Sequence, residues 1–225
     1  MSPSTGRGSG GRRGRGDGRV RQPPQQSRTG NHLPDAVVSS SGFSDRVFGF
    51  VTGRRDATPT GGSLRGQLMA AFGPSSRDPS RPDLRAASEA LGVSVRQLQR
   101  WSRGETRAPR GAAAADLSRR ARQAVSTRRG RQNAVRASVA AGTARPPRFA
   151  SSVSLSGRQG VRSSNDEQYR DRTTSIDISS DDLDDLRAAY IERGNAGAAD
   201  WLHDTWHDNY QSNWHFQSVE DISWE

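Results

Sequence analysis

Apolar residues recur at helical spacing between residues 63 and 130. The first predicted helix carries a stripe of four such residues, Leu64, Leu68, Met69 and Phe72. Residues that favour helix N-termini precede three of the predicted helices: Ser63, Asp83 and Ser94. Glycines end the second and third helices, and an alanine-rich fourth helix follows Pro109. The pattern predicts a folded, helical domain over this stretch.

The segment Leu84–Arg103 is typical of a helix-turn-helix with Gly92 at its turn. Glycine suits that position because it adopts positive φ without strain from a Cβ atom. Five residues then fall where the two helices pack together: Ala87, Leu91, Val93, Leu98 and Trp101. The second helix, capped by Ser94, would lie in the major groove of DNA. The alternative is an ordinary helical hairpin, which the surrounding arginines disfavour.

A different pattern occupies residues 172–225. Thr174, Ile176 and Ile178 alternate as in a strand, and Ser179 or Ser180 begins a helix with an Asp-rich first turn. Apolar residues then lie on one face of that helix, on a second helix and on a last strand: Leu183, Leu186 and Tyr190; Ala199, Leu202, Trp206 and Tyr210; Ile222 and Trp224. The predicted order is β-α-α-β. A module this small favours homodimerisation through a strand edge or a helix face.

The predicted fold class is mainly α with a small α+β C-terminal domain. Residues 1–62 form a disordered Arg/Gly-rich region, in which Ser41–Val51 is the single apolar interruption. Residues 63–130 form the helix-turn-helix domain with a basic helix. Residues 131–171 are a basic, hydroxyl-rich linker. Residues 172–225 are an acidic β-α-α-β domain for dimerisation or partner binding.

The charge changes sign along the chain, which the formal net charge of +10 conceals. Residues 1–165 hold 30 Arg and 9 Asp or Glu, a net of +21, whereas residues 166–225 hold 4 Arg and 15 Asp or Glu, a net of −11. This asymmetry favours binding of a polyanion by residues 1–165 and binding of a protein partner by the acidic C-terminal part. The chain has no lysine, which a GC-rich genome would explain as well as selection for phosphate binding.

The composition excludes several kinds of chemistry. Without cysteine, disulfides, iron–sulfur clusters and thiolate zinc sites are ruled out. His203 and His207 have the spacing of a zinc site, but Asp204 stands where metalloproteases have Glu and no third ligand follows, so no metal is predicted. No apolar run suits a membrane span or a secretory signal. The predicted location is cytoplasmic and nucleoid-associated.

The second helix of the helix-turn-helix is the proposed recognition helix. Arginines and glutamines occupy its outward positions, and more arginines follow in the basic stretch after it. Arg96 and Gln97 occupy the first turn of that helix, where Arg favours guanine and Gln favours adenine. Residues 119–162 contain 11 Arg and no acidic residue, which favours phosphate binding over a merely solvated helix face. The predicted DNA contacts are Ser94, Val95, Arg96, Gln97, Gln99, Arg100, Arg103, Arg107, Arg119, Arg120, Arg122, Arg128, Arg129 and Arg131.

The order of these parts resembles the terminal proteins of linear actinobacterial chromosomes and plasmids, the Tpg-like telomere proteins. The resemblance covers residues 63–225. It is carried by LGVSVRQLQRW (91–101), the arginine tract, PRFASS (147–152), the segment from Arg172 to Tyr190 and the final SVEDISWE. It implies a protein primer rather than an enzyme. A Ser or Thr hydroxyl receives the first nucleotide and stays bonded to the DNA 5′ end.

The same resemblance implies the partners and the acceptor. A DNA polymerase would extend the primer and supply the divalent metal, so the chain itself needs no cofactor, and a telomere-binding protein would assist at the DNA ends. Family acceptors follow an Arg-Phe pair, here Arg148 and Phe149. The candidate acceptors, in order of preference, are Ser152, Ser151 and Thr143.

Two other functions fit parts of the same pattern. A helix-turn-helix transcriptional or plasmid-copy regulator would bind a palindromic, operator-like site and carry no covalent nucleotide. An architectural or mobile-element DNA-binding protein would show steep salt dependence and little sequence preference.

Overall fold

Side-chain caps begin the helices of the middle region as the sequence predicts. The computed structural model describes residues 33–105, 111–145, 152–162 and 167–225. Ser63 caps α3 (Leu64–Phe72), Asp83 caps α4 (Leu84–Leu91) and Ser94 caps α5 (Val95–Ser102), each by accepting a backbone N–H of the first turn. Gly92 ends α4 in the left-handed conformation, with φ of 64°.

Two helices lie where the sequence predicts disorder. They are α1 (Asp35–Val38) and α2 (Ser41–Thr52), and the Ser40 hydroxyl caps the second by accepting the Phe43 N–H at 3.1 Å. Five apolar side chains of α2 are buried in the main hydrophobic cluster: Phe43, Val47, Phe48, Phe50 and Val51. The prediction of a disordered region is therefore wrong for residues 35–52. Residues 1–32 lie outside the described residues.

The basic helix is divided in two, because Thr127 caps a second helix in the middle of it. α6 (Ala112–Ser126) ends there, and α7 (Arg128–Ala140) begins with the Thr127 hydroxyl accepting the Gly130 N–H at 3.0 Å. Ala134, Val135 and Ser138 of α7 are buried. The predicted linker over residues 131–171 is thus wrong in its described part, which contains most of α7 and a long strand.

That strand, β1 (Ser152–Arg162), is the centre of a four-stranded antiparallel sheet. On one side it pairs along its length with β2 (Glu167–Asp177). On the other side it pairs with β3 (Trp214–Phe216) through residues 159–161 and with β4 (Asp221–Trp224) through residues 153–156. β1 therefore joins three strands that the chain supplies later.

Two helices connect β2 to β3. α8 (Ser180–Arg193) begins with a capping box, in which Ser179 and Asp182 each bond the other's backbone N–H. α9 (Asn195–Asn209) follows, with Leu202 and Trp206 buried. Tyr210 lies beyond the end of α9 and is 45% exposed, so its prediction as part of the buried stripe is wrong.

The C-terminal elements do not form a module by themselves. Their central strand is β1, from the predicted linker, and one hydrophobic cluster joins the sheet, α8 and α9 to α2 and α7. The described residues between 33 and 225 form one compact unit. The small size of an isolated module, which was the reason to predict dimerisation, therefore does not apply.

A buried chain of hydrogen bonds fixes the sheet against α9. Trp206 Nε1 donates to Thr174 Oγ1 at 2.8 Å, and that hydroxyl donates to Gln159 Oε1 at 2.8 Å. Trp214 Nε1 donates to the same amide oxygen at 3.1 Å, while Gln159 Nε2 donates to the carbonyls of Leu155 and Arg172 at 2.8 Å. Each of these polar groups is thereby paired inside the core.

Thr174→Val is expected to lower the free energy of unfolding by about 1–3 kcal/mol, because it leaves the buried Trp206 N–H without an acceptor. Thr173→Val is the matched control. Thr173 is exposed on the other face of β2, where its hydroxyl bonds only Ser156 Oγ at 2.7 Å, and its replacement should change stability by less than about 0.5 kcal/mol. Urea unfolding of both variants measures the difference, and equal losses would contradict the role given to this network.

Candidate nucleic-acid interface

The apolar faces of α4 and α5 hold these two helices against α3 and α6. Leu98 and Trp101 of α5 and Ala87 of α4 are buried, and they form a second hydrophobic cluster with Leu68 of α3 and Leu117 of α6. Leu84, Leu91 and Val93 pack against this cluster and are partly exposed. α5 is therefore fixed by one face on the rest of the molecule.

The opposite face of α5 is exposed. All the residues predicted to point outward do so: Val95, Arg96, Gln97, Gln99, Arg100 and Arg103, together with the capping residue Ser94. Val95 is one of the few large apolar side chains at the surface of the described residues, with 39% exposure. A helix that presents two arginines and two glutamines from its first two turns has the donors and acceptors that base edges require.

An acidic residue that the sequence reasoning passed over lies beside this face. Arg100 Nε and Arg103 Nη1 each lie 3.6 Å from a carboxylate oxygen of Glu105. These ion pairs are exposed, so they contribute little to stability, and a phosphate could replace the carboxylate. Arg107, the next predicted phosphate contact, lies outside the described residues.

The arginines of α6 and α7 differ in their surroundings. Arg119 and Arg120 both bond the Asp116 carboxylate, the second at 3.0 Å. Arg128 Nε donates to both carboxylate oxygens of Glu192 at 2.9 Å, and this hydrogen bond is the main reason that the pKa of Glu192 is lowered. Arg122 and Arg129 are exposed. Residues 119–162 contain no acidic residue, but three of their arginines thus pair with carboxylates from outside this stretch.

Arg131 is a structural residue, and its prediction as a DNA contact is wrong. Its side chain is only 7% exposed. The guanidinium donates to the Ile191 carbonyl at 2.8 and 3.0 Å, to the Glu192 carbonyl at 3.1 Å and to the Val125 carbonyl at 3.0 Å. It thereby satisfies carbonyls at the C-terminal ends of α8 and α6, where a cation also suits the helix dipole.

Arg54 is also a buried structural residue, and the sequence does not indicate this role. It is 5% exposed and donates to the Ser138 hydroxyl at 2.9 Å, to the Ala70 carbonyl at 3.1 Å and to the Ala134 carbonyl at 3.3 Å. Burial lowers the pKa of its guanidinium to about 10, so it stays protonated at neutral pH. It links α7 to the end of α3.

The candidate acceptor hydroxyls lie in ordered surroundings where they are described. Thr143 is half-buried, and its hydroxyl lies 3.3 Å from the carbonyl oxygens of both Thr52 and Ser138. Ser152 is half-buried at the start of β1, and its hydroxyl donates to the Glu225 carbonyl at 3.4 Å. Neither lies in an exposed linker of the kind that the sequence predicts for residues 131–171. Ser151 lies outside the described residues.

The fold brings a third histidine, His215, close to the pair His203 and His207 on α9. The ring centroids of His203 and His207 are 6.2 Å apart, and His215 of β3 brings its ring to 5.5 Å from that of His203. Even so, no group of three or more ligand side chains in the described ranges is arranged to hold a metal ion.

Among the helices that the structure describes, none combines the length and the apolar character that a membrane span requires. Comparison of the chain with protein-family models, with curated proteins and with solved structures gives no match.

Proposed function

We propose that this chain is a DNA-binding terminal protein, which binds the end of a linear replicon through α5 and carries the first nucleotide on a Ser or Thr hydroxyl. It acts as a primer for a partner polymerase rather than as a catalyst. The polymerase supplies the divalent metal and the transfer chemistry.

The observation that supports DNA binding is the two-sided character of α5. One side is packed through Leu98 and Trp101, and the other exposes Arg96 and Gln97 in the first turn. The first turn of a recognition helix is the part that contacts base edges in the major groove. Exposed arginines on α5, α6 and α7 would then contact the phosphate backbone on either side.

Priming is supported by the resemblance rather than by an exposed hydroxyl among the described residues. The two adjacent serines that follow the Arg148-Phe149 pair, Ser151 and Ser152, remain the proposed acceptors. Ser152 lies at the outer end of β1, and its hydroxyl and its backbone N–H and carbonyl all bond Glu225. These bonds would have to break before Ser152 entered a polymerase active site. A binding partner would have to supply about 0.5–1.5 kcal/mol for each hydrogen bond that is broken.

Incubation of the full-length protein with its polymerase, telomeric DNA, Mg²⁺ and a labelled deoxynucleotide is expected to give a labelled protein that survives SDS. The double variant Ser151→Ala and Ser152→Ala should lose the label. A matched variant, Ser76→Ala and Ser126→Ala, removes two hydroxyls elsewhere and should keep it. Sequencing of the labelled peptide locates the acceptor independently of either variant.

Two results of this experiment would contradict different parts of the proposal. If no label is transferred, the priming function is wrong. If the label is transferred but survives the change of both Ser151 and Ser152, only the choice of acceptor is wrong.

A helix-turn-helix regulator is the second candidate, and the positions of Thr143 and Ser152 favour it. A regulator needs the exposed face of α5 but no free acceptor hydroxyl. It predicts a palindromic binding site in duplex DNA and no covalent nucleotide under any condition of the labelling experiment.

A further inference from the structure

A cleft of about 350 Å³ opens between the second half of α2, residues 143–145 and β4. Three arginines line it: Arg46, Arg55 and Arg145. Asp221 is the single acidic residue among its lining side chains, so three positive charges less one negative charge leave +2. The volume lies within the ordinary range for small-molecule sites.

Close packing holds the walls of this arginine cleft together. Gly53, which lines it, has φ of 67°, and a Cβ atom built there would lie 1.8 Å from the Thr143 carbonyl oxygen. No other residue fits at this contact between the end of α2 and the end of α7. Arg46 Nη1 donates to the Val219 carbonyl at 3.1 Å, which ties α2 to the segment before β4. The cleft is therefore built from fixed backbone.

An aromatic ring completes the lining. Trp224 is half-buried and stacks on Phe50 with ring centroids 5.0 Å apart and an interplanar angle of 23°. Phe50 is buried at 8% exposure, so it supports the indole from inside the protein. A supported indole beside several guanidinium groups presents both a stacking surface and bidentate phosphate donors.

We propose that the arginine cleft binds a nucleotide, with its base against Trp224 and its phosphate groups between Arg55 and Arg145. Both arginines are exposed, and Arg46 adds positive charge at the wall. A simple anion would not use the indole, and an aromatic ligand without phosphate would not use three guanidinium groups. A nucleotide uses both.

This site goes beyond the proposed function, because it shares no residue with α5 and recognises a single nucleotide rather than a groove of duplex DNA. The nucleotide could come from a free deoxynucleoside triphosphate or from an unpaired strand at a DNA end. Thr143, the third candidate acceptor, also lines the cleft, so a bound nucleotide would lie beside a hydroxyl.

Photo-cross-linking of the full-length protein tests the site with two probes. One is 5-bromodeoxyuridine triphosphate, and the other is a single strand of roughly six nucleotides that contains 5-bromodeoxyuridine. An adduct on Trp224 is expected, as read by mass spectrometry of the peptides. The double variant Arg55→Gln and Arg145→Gln should reduce the yield by about tenfold or more, since each phosphate contact is charge-assisted.

A matched variant, Arg77→Gln and Arg170→Gln, removes the same charge from exposed positions outside the cleft and should leave the adduct within about twofold. Whichever probe gives the adduct identifies the source of the nucleotide. The proposal is overturned if neither probe labels Trp224, or if both double variants lose the adduct equally. Arg96→Ala should not change this adduct, so failure of the cleft is distinguishable from failure of DNA binding by α5.

Discussion

Replacing Arg131 with alanine is expected to lower the free energy of unfolding by about 3–5 kcal/mol. The guanidinium donates four hydrogen bonds to three backbone carbonyls at the ends of α8 and α6. Alanine would leave these partly buried acceptors without their donors. Arg131→Lys keeps the charge but loses the planar fork, so it should recover only part of the loss. Urea unfolding followed by circular dichroism measures these differences.

Arg129 is the matched control, because it lies two residues away on the same helix and is exposed. Arg129→Ala should change the unfolding free energy by less than about 0.5 kcal/mol and weaken DNA binding instead. Equal destabilisation by the two substitutions would contradict the structural role of Arg131.

The second large effect is expected at the N-terminal turn of α5. Arg96→Ala should weaken binding to the preferred duplex sequence by about 1–3 kcal/mol, or roughly 5-fold to 150-fold, and relax the preference at one base pair. The reason is that an exposed guanidinium in the first turn can pair with a guanine edge. Competition between preferred and altered duplexes, measured by fluorescence anisotropy, separates the loss of specificity from the loss of affinity.

Two other arginines serve as comparisons for this experiment. Arg100→Ala should weaken binding to all sequences alike and reduce the salt dependence by about one phosphate contact. Arg85 is an exposed arginine of α4 that pairs with Glu89 at 3.4 Å, and Arg85→Ala should leave the sequence preference intact. If Arg96→Ala and Arg85→Ala have the same effect on every duplex, α5 does not read bases.

Local signals in the sequence are sufficient for four of the helices that begin with a side-chain cap, although α2 and α7 also have such caps and are not predicted from them. Ser63, Asp83, Ser94 and Ser179 each mark a helix start, because their short polar side chains bond first-turn N–H groups whatever the tertiary fold. The inward and outward faces of α5 also followed from spacing alone, since Leu98 and Trp101 are buried three residues apart.

Composition is a poor guide to structure where a folded element lies among glycines, serines and arginines. The apolar run in α2 has polar flanks, so the sequence presents it as an interruption of a disordered region, yet Phe43 and Phe48 are fully buried. The sequence of β1 is typical of a linker, and the amide side chain of Gln159 in its inward row interrupts the alternation of apolar residues that indicates a strand. Its burial depends on partners from β2, α9 and β3.

Arginines were the least predictable residues of the candidate site. Arg131 and Arg129 look alike in the sequence, but one caps two helices from inside and the other is exposed. The difference comes from where α8 ends, which local sequence does not specify. For the same reason the arginine cleft was not foreseen, because Arg55, Arg145 and Trp224 come together only in the folded chain.

The most direct test of the proposed function is isolation of the native full-length protein from its host under denaturing conditions. The proposed function predicts that DNA remains attached through SDS and heat and is released only by nuclease, leaving a nucleotide on a peptide that contains Ser151 or Ser152. Protein that carries no nucleotide, yet binds a palindromic duplex through α5, would contradict priming and leave the regulator as the function.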